Sequence, residues 1–186
     1  MDYDDNYGSH QFLLIDILKR TSNPILELGS GDYSTQQIHN LSEKRKVVTI
    51  DDSDWWIKRY LKLQDKYHRF YFMNNDQLEK FYREDNENWG LVFIDSGTWE
   101  QRTSALVKYK DVADYIILHD CDYMVGHKIF GTTDKNGLRI YNDLFRYWIE
   151  FNLRHKRDSP PTLLGSNKID LKDIKIDGMS IISKNK

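Results

Sequence analysis

Two short segments carry acids and a histidine at positions where they could do chemistry. Asp95 follows the apolar run 91–94, and His119-Asp120 follows the apolar run 115–118. If these runs are neighbouring parallel strands, their carboxyl ends lie side by side, where open α/β sheets bind ligands. Carboxylate oxygens there can hold a divalent cation, and an imidazole can act as a general base. We therefore predict catalytic roles for His119 and Asp95, and a Mg²⁺ or Mn²⁺ site at Asp95 and Asp120.

Each of these side chains also has a structural interpretation. Asp95 and Asp120 could cap a helix or form a turn, because short acids commonly do so. His119 could be a hydrogen-bonded histidine at the end of a strand. The sequence alone leaves both interpretations open.

A glycine-rich turn occurs near the start of the chain, in the segment ILELGSGDYST that begins at Ile25. Its glycines allow a tight turn and close approach of a ligand to the backbone, and the helix expected beyond them offers free N–H groups. Glu27 precedes the turn, where an acid suits a cationic or hydrogen-donating ligand but not a pyrophosphate. Ser34 stands where a dinucleotide fingerprint has its third Gly or Ala. The turn therefore favours a ligand other than a dinucleotide.

An acid follows the second apolar run. Asp51 lies 20 residues beyond Gly31, and a carboxylate at that spacing can accept both hydroxyls of a ribose. Asp51 or Asp52 could instead cap the next helix, as could Ser53 or Asp54. We predict ribose binding, with Asp51 preferred because it ends the strand directly.

The segment ILELGSGDYST followed by VVTIDDS resembles motif I and the acid after strand 2 of class I S-adenosylmethionine-dependent methyltransferases. The resemblance implies that the glycine turn holds the methionine part of the cofactor, that the acid holds its ribose, and that residues after strand 3 border the adenine. It also implies that the helix before strand 1 helps to close the site. The expected cofactor-binding residues are Ser9, His10, Glu27, Gly29, Ser30, Gly31, Tyr33, Ser34, Asp51, Asp52, Asn75, Asp76, Asp95 and Ser96. Asn75-Asp76 could instead cap the following helix.

The second half of the chain has a weaker resemblance. The pattern IDSG…WEQR followed by IILHDCD is similar to glucuronoxylan O-methyltransferases of plant cell walls, and it faintly resembles the metal-assisted sugar O-methyltransferases of macrolide and aminocoumarin pathways. Those enzymes typically carry further acids where this sequence has His119 and Gly97. The resemblance implies methyl transfer to a sugar or glycan hydroxyl. The alternatives are a nicotinamide-dependent oxidoreductase and a non-catalytic cofactor-binding domain.

Short apolar runs alternate with amphipathic stretches, which is typical of a parallel sheet with helices on its faces. We predict one domain over residues 1–186 with an α/β, Rossmann-like class I methyltransferase fold, a mostly parallel seven-stranded sheet and helices on both faces. The polar, glycine-punctuated segment 126–137 is long enough to be a lid. The predicted strands are 25–28, 46–50, 69–73, 91–94, 115–118, 162–164 and 179–183, and the predicted helices are 9–20, 34–43, 54–66, 76–84, 100–110 and 138–156.

Composition excludes some classes of function. The 186 residues carry a net charge of -2, which argues against a nucleic-acid binder that relies on a broad basic face. Cys121 is the only cysteine, so no internal disulfide can form and a reducing compartment is the simplest expectation. The first ten residues lack the features of a signal peptide, and no apolar run reaches the roughly 20 residues that span a bilayer. We expect a cytoplasmic protein that acts on a small molecule or glycan, with its oligomeric state left open.

Overall fold

A computed structural model describes residues 8–121, 141–154 and 159–184 of the chain. These residues form an eight-stranded sheet with helices packed against it. The strands are β1 (Ile25–Leu28), β2 (Val47–Asp51), β3 (His68–Phe72), β4 (Leu91–Ile94), β5 (Tyr115–Leu118), β6 (Tyr147–Leu153), β7 (Thr162–Ser166) and β8 (Met179–Lys184). The helices are α1 (Gln11–Arg20), α2 (Thr35–Leu41), α3 (Asp54–Tyr60), which runs into a 3₁₀ turn (Leu61–Leu63), α4 (Asn75–Glu84), α5 (Trp99–Tyr109) and α6 (Tyr141–Leu144).

The strand order is β3-β2-β1-β4-β5-β7-β6-β8. Strands β1 to β5 pair in parallel, whereas β7 is antiparallel to both β5 and β6, and β8 is antiparallel to β6. The chain runs outward from β1 to β3 and then returns to place β4 on the other side of β1. This reversal is the topological switch point at which open α/β sheets bind ligands. The predicted Rossmann-like methyltransferase architecture is confirmed.

The two faces of the sheet are covered by different helices. Alternate residues of the strands point to opposite faces, so one face packs on α1 and α2 and the other on α4 and α5. Helix α3 packs on the edge strand through Ile57, Tyr60 and Phe70. Capping boxes start α4 at Asn74 and α5 at Thr98, and such caps typically contribute about 1 kcal/mol each.

The parallel register aligns the residues that follow three neighbouring strands. Leu28 pairs with Ile94, and Ile94 pairs with Leu118, so the next residues of the three strands form one row at the carboxyl edge of the sheet. That row consists of Gly29, Asp95 and His119.

Gly29 is required in this row. Its φ is +93°, and a Cβ there would lie 2.6 Å from backbone atoms of Asp95 and Ser96. Both the left-handed backbone and the close approach of the two turns exclude an ordinary side chain. The glycine turn therefore fits directly against the end of β4.

The predicted helix over 138–156 is wrong. Among the described residues of that range only Tyr141–Leu144 is helical, and Tyr147–Leu153 is strand β6. Strand β6 lies between β7 and β8, so both of its edges are paired. Its apolar residues belong to the cores on both faces of the sheet. Trp148, Ile149 and Phe151 are buried, and aromatic and β-branched residues favour strands. The sheet therefore has eight strands instead of the predicted seven.

The other predicted elements are confirmed with small shifts at their ends, except that the predicted helix 54–66 ends as an α-helix at Tyr60. The predicted lid at 126–137 lies outside the described residues. Among the described residues, no helix is long and apolar enough to cross a bilayer.

Candidate functional site

A cavity of about 440 Å³ lies at the carboxyl edge of the sheet, beside the switch point. It joins the glycine turn to the residues that follow β4 and β5. This volume is within the range of about 300–1,000 Å³ that is usual for ligand pockets. The residues that line it are His10, Ser30, Gly31, Asp32, Tyr33, Ser34, Trp56, Asp95, His119 and Asp120.

Gly31 lies in the wall of the cavity and leaves open space there. A Cβ on Gly31 would have Ser34 Oγ as its nearest contact, at 3.6 Å, which is an ordinary van der Waals distance. The lack of a side chain at Gly31 therefore enlarges the cavity. The lack of one at Gly29 instead allows the glycine turn to pack against the end of β4. The two glycines of the turn have different functions.

Asp51 is buried beneath the glycine turn instead of lining the cavity. Its Oδ2 accepts hydrogen bonds from the Ser30 backbone N–H (2.7 Å) and hydroxyl (2.8 Å), and its Oδ1 accepts one from Ser53 N–H (2.7 Å). Burial raises the pKa of the Asp51 carboxyl above its ordinary value, and the hydrogen bonds from Ser30 and Ser53 oppose that rise. Asp51 thus ties the glycine turn to the end of β2, and its predicted ribose contact stays a prediction. The adjacent Asp52 is exposed.

Glu27 is completely buried in the sheet behind the turn. Its Oε1 accepts hydrogen bonds from Ser34 (2.7 Å) and Thr35 (2.9 Å), and its Oε2 accepts one from Thr49 (2.7 Å). Burial raises the pKa of Glu27 to about 7, although these three donors oppose the rise. In this structure Glu27 joins the start of α2 to β2 and does not reach the cavity wall.

Two residues in the cavity wall were not predicted, Asp32 and Trp56. Asp32 accepts hydrogen bonds from Arg59 Nε (2.9 Å) and Nη2 (2.8 Å) and from the Tyr60 hydroxyl. These bonds fasten α3 to the glycine turn. Trp56 lies one turn earlier on α3 and stacks against Tyr60, and its aromatic ring could contact a nucleobase or a sugar face. The pair Trp56–Tyr60 at i, i+4 was the available signal in the sequence.

His119 is buried and lies between two carboxylates and a hydroxyl. Its Nδ1 is 3.2 Å from Asp95 Oδ1, and its Nε2 is 3.0 Å from Ser9 Oγ and 3.3 Å from Asp120 Oδ1. Burial opposes ionisation of Asp95, but its contacts with His119, His10 and Arg102 outweigh that effect and lower its pKa. The predicted proximity of Asp95, His119 and Asp120 is present in the structure.

The hydrogen bonds of Ser9 determine which nitrogen of His119 carries a proton. Ser9 Oγ is 2.9 Å from the carbonyl oxygen of Pro160. A carbonyl oxygen can only accept a hydrogen bond, so the Ser9 hydroxyl uses its single proton to donate to Pro160. Ser9 must therefore accept from His119 Nε2–H, and Nδ1 is the nitrogen that faces Asp95. The order Ser9–His119–Asp95 is that of a hydrolase triad, but Ser9 is completely buried and already donates to Pro160. It is a support for His119 and not a nucleophile.

His10 lies beside His119 in the cavity wall and is 2% exposed. Its ring packs edge-on against His119, with centroids 4.4 Å apart, and against Phe93. Among the described residues, neither ring nitrogen has a hydrogen-bond partner of ordinary geometry, although the nearby Tyr33 backbone acts to raise the pKa of the ring. Burial, followed by the neighbouring His119, lowers the pKa of His10 to about 3, so the ring is neutral at pH 7.

Arg102 is a supporting residue that no motif predicted as part of the site. It is buried; its Nε donates to Ser96 O (3.0 Å) and its Nη1 to His119 O (2.9 Å), while Nη2 is 3.3 Å from Asp95 Oδ1. Its Nη1 is also 3.9 Å from Asp120 Oδ2. The guanidinium group therefore bridges the two acids for which a Mg²⁺ or Mn²⁺ site was predicted. That metal site stays a prediction.

Asp120 has a backbone conformation that is uncommon for its residue type. Its φ is +53°, in the left-handed region that non-glycine residues rarely occupy, although Asp tolerates it better than most. Such outliers cluster at functional sites. Here the conformation places the Asp120 carboxylate beside His119 and in the cavity wall.

The remaining predicted cofactor residues do not line the cavity. Asn74, not Asn75 or Asp76, caps α4, while the Asn75 side chain accepts a hydrogen bond from Gln101. The predicted residues outside the cavity wall are Ser9, Glu27, Gly29, Asp51, Asp52, Asn75, Asp76 and Ser96.

Comparison with known proteins supports the fold. No family model matches the chain, and no curated protein matches it by sequence. The methyltransferase domain of bacterial CtHen1-C superposes with a TM-score of 0.54 at 12% identity, covering 89% of this chain and 100% of that one. A protein assigned as a caffeoyl-CoA O-methyltransferase from Staphylococcus aureus superposes with 0.53 at 20% identity, covering 82% and 81%. An rRNA methylase from Streptococcus thermophilus superposes with 0.52 at 16% identity, covering 82% and 92%. The chain has the Rossmann-like fold found in class I methyltransferases of several families.

Proposed function

We propose that the chain is an S-adenosylmethionine-dependent methyltransferase that acts on a hydroxyl group, with a sugar or glycan as the acceptor. One observation carries the proposal: a single cavity joins the glycine turn to the Asp95–His119 pair. The glycine turn is the part of this fold expected to hold the cofactor. The Asp95–His119 pair is suited to removing a proton from an acceptor.

The residues present fit the cofactor. The open space at Gly31 would admit the methionine part beside the turn. Three carboxylates, those of Asp32, Asp95 and Asp120, are in the cavity wall, and they suit a ligand that carries a positive sulfonium and a positive amino group. When bound, S-adenosylmethionine supplies the activated methyl group, and the protein supplies alignment and deprotonation.

Two features favour a hydroxyl acceptor. A hydroxyl must lose its proton as it is methylated, and the Asp95–His119 pair lies where that proton would be accepted. Because His119 Nε2 already carries a proton, the accepting atoms are those at the Asp95–Nδ1 contact. Trp56 offers an aromatic face in the same cavity, and sugar rings commonly stack on such faces. The structural neighbours act on different acceptors, to judge from their names, so the acceptor rests on the site alone.

Calorimetric titration of the purified chain with S-adenosylmethionine, S-adenosylhomocysteine and NAD tests the cofactor. We expect both adenosyl ligands to bind and NAD not to bind. Binding of NAD alone would favour the nicotinamide-dependent oxidoreductase. Adenosyl binding without turnover on any acceptor would favour a non-catalytic cofactor-binding domain.

A further inference from the structure

The contact between His119 Nδ1 and Asp95 Oδ1 needs a cation. His119 Nε2–H donates a hydrogen bond to Ser9 Oγ, because the Ser9 hydroxyl itself donates to the carbonyl oxygen of Pro160. A neutral His119 would then point the lone pair of Nδ1 at a carboxylate oxygen 3.2 Å away. Two electron-rich atoms at that distance repel each other unless a proton or a metal ion lies between them.

The surroundings of His10 favour a metal ion over a proton at the contact between Asp95 and His119. His10 is 2% exposed, it lies in the cavity wall, and neither of its nitrogens has a hydrogen-bond partner of ordinary geometry in the described part of the chain. Buried polar atoms are normally satisfied, so an exception calls for an explanation. A proton at the Asp95–His119 contact would leave His10 unsatisfied. A metal ion would use His10, Asp95 and His119 together.

We propose that His10, Asp95 and His119 bind a divalent transition-metal ion in the wall of the cavity. One donor atom from each residue lies within 4.8 Å of the other two. Binding would require each of the three atoms to approach the ion to roughly 2.1 Å. Two imidazoles and one carboxylate form the ligand set that non-haem iron enzymes use, and three protein ligands leave open positions toward the cavity.

The ligand chemistry selects the metal. Imidazole suits Zn²⁺, Fe²⁺, Co²⁺ and Ni²⁺, whereas Mg²⁺ prefers oxygen ligands and retains water. The proposed ion is therefore different from the Mg²⁺ or Mn²⁺ first expected between Asp95 and Asp120, where Arg102 bridges the acids.

The surroundings of His119 resemble those of a metal ligand. Histidines that bind metals usually donate their other N–H to a fixed acceptor, which orients the ring. Ser9 is such an acceptor, and Pro160 fixes Ser9 in turn. Ser9 is thus a positioning residue for the ion.

The test is a titration of chelator-treated, full-length protein with Co²⁺, followed by the visible absorption of the bound ion. We expect absorption bands that differ from those of aqueous Co²⁺, competition by Zn²⁺, and no displacement by excess Mg²⁺. His10→Gln and Asp95→Asn should each weaken Co²⁺ binding more than tenfold. Ser9→Ala should weaken it about 10-fold or more without removing a ligand.

His39→Gln is the matched control. His39 contacts His68 in a second cavity (Nδ1–Nδ1 3.2 Å), and His68 Nε2 in turn contacts Thr49, so this pair is already hydrogen-bonded. The control should bind Co²⁺ like the unchanged protein. Loss of binding in His39→Gln, unchanged binding in His10→Gln, or a spectrum equal to that of aqueous Co²⁺ would overturn the proposal.

Circular dichroism of each variant confirms that it is folded. His10→Gln removes no hydrogen bond of ordinary geometry found among residues 8–121, 141–154 and 159–184, so it keeps the test valid if Asp95→Asn fails to fold. A bound ion would occupy the Asp95–Nδ1 contact and would then supply the activation of the acceptor hydroxyl in place of that pair. The titration needs neither cofactor nor acceptor, and its failure would leave the contact free to accept the proton as proposed above.

Discussion

Replacing Glu27 by Gln should change how stability depends on pH. Glu27 is completely buried, and its pKa is raised from 4.5 to about 7. The folded state therefore binds this proton more tightly than the unfolded state. The stabilisation is complete below pH 4.5 and is lost as the pH rises through 7.

The size of the change in unfolding free energy follows from the pKa shift of Glu27. At about 1.4 kcal/mol per pKa unit, the difference amounts to about 3 kcal/mol of unfolding free energy, most of it lost between pH 5 and pH 8. Gln is neutral throughout and keeps a similar shape. Relative to the unchanged protein, Glu27→Gln should therefore gain stability as the pH rises.

Urea unfolding at several pH values between 5 and 8 measures this difference. His10 and His68 have pKa values lowered to about 3 and about 4, so they add stability as the pH rises toward 6.5. Both proteins share that trend, and it cancels in the comparison. Glu79→Gln, at an exposed position of α4, is the matched control and should show no such trend. A constant difference between Glu27→Gln and the unchanged protein across this range would refute the reasoning.

Three further predictions concern the glycine turn and Arg102. Gly29→Ala should lower the melting temperature, because it costs roughly 1–2 kcal/mol for the left-handed backbone alone and its Cβ would meet backbone atoms at 2.6 Å. Gly31→Leu should leave the melting temperature nearly unchanged and weaken S-adenosylmethionine binding in calorimetry more than tenfold; the opposite pattern would show that the two glycines have been assigned the wrong way round. Arg102→Leu should destabilise the protein by about 3 kcal/mol in urea unfolding, since it removes the buried partner of Asp95, and a loss below 1 kcal/mol would show that the bridge is unimportant.

The sequence was sufficient to predict the parallel part of the sheet and the proximity of Asp95, His119 and Asp120. Parallel strands end on the same edge, so locating β1, β4 and β5 was enough to place Gly29, Asp95 and His119 together. Strand β6 was missed because it is covered on both faces, and its apolar residues then mimic a helical stripe. Its neighbours β7 and β8 come later in the chain, and local periodicity contains no information about them.

The individual roles were harder to predict. Asp51 and Glu27 lie at the expected positions, but their partners are hydroxyl and N–H groups from the glycine turn, α2 and β2. Side-chain packing decides which groups reach a buried carboxylate. The spacing of residues along the sequence does not encode that packing. Arg102 was missed for the same reason: it acts through the backbone oxygens of Ser96 and His119.

The most direct test of the central claim is turnover. S-adenosylhomocysteine release should be measured against a panel of sugar and glycan acceptors, for the unchanged protein and for His119→Asn, with His39→Gln as the control. We predict release with at least one hydroxyl acceptor, a fall of on the order of 10²–10⁴-fold in His119→Asn, and no fall in the control. Binding of S-adenosylmethionine with no release on any hydroxyl acceptor, or full turnover in His119→Asn, would contradict the account.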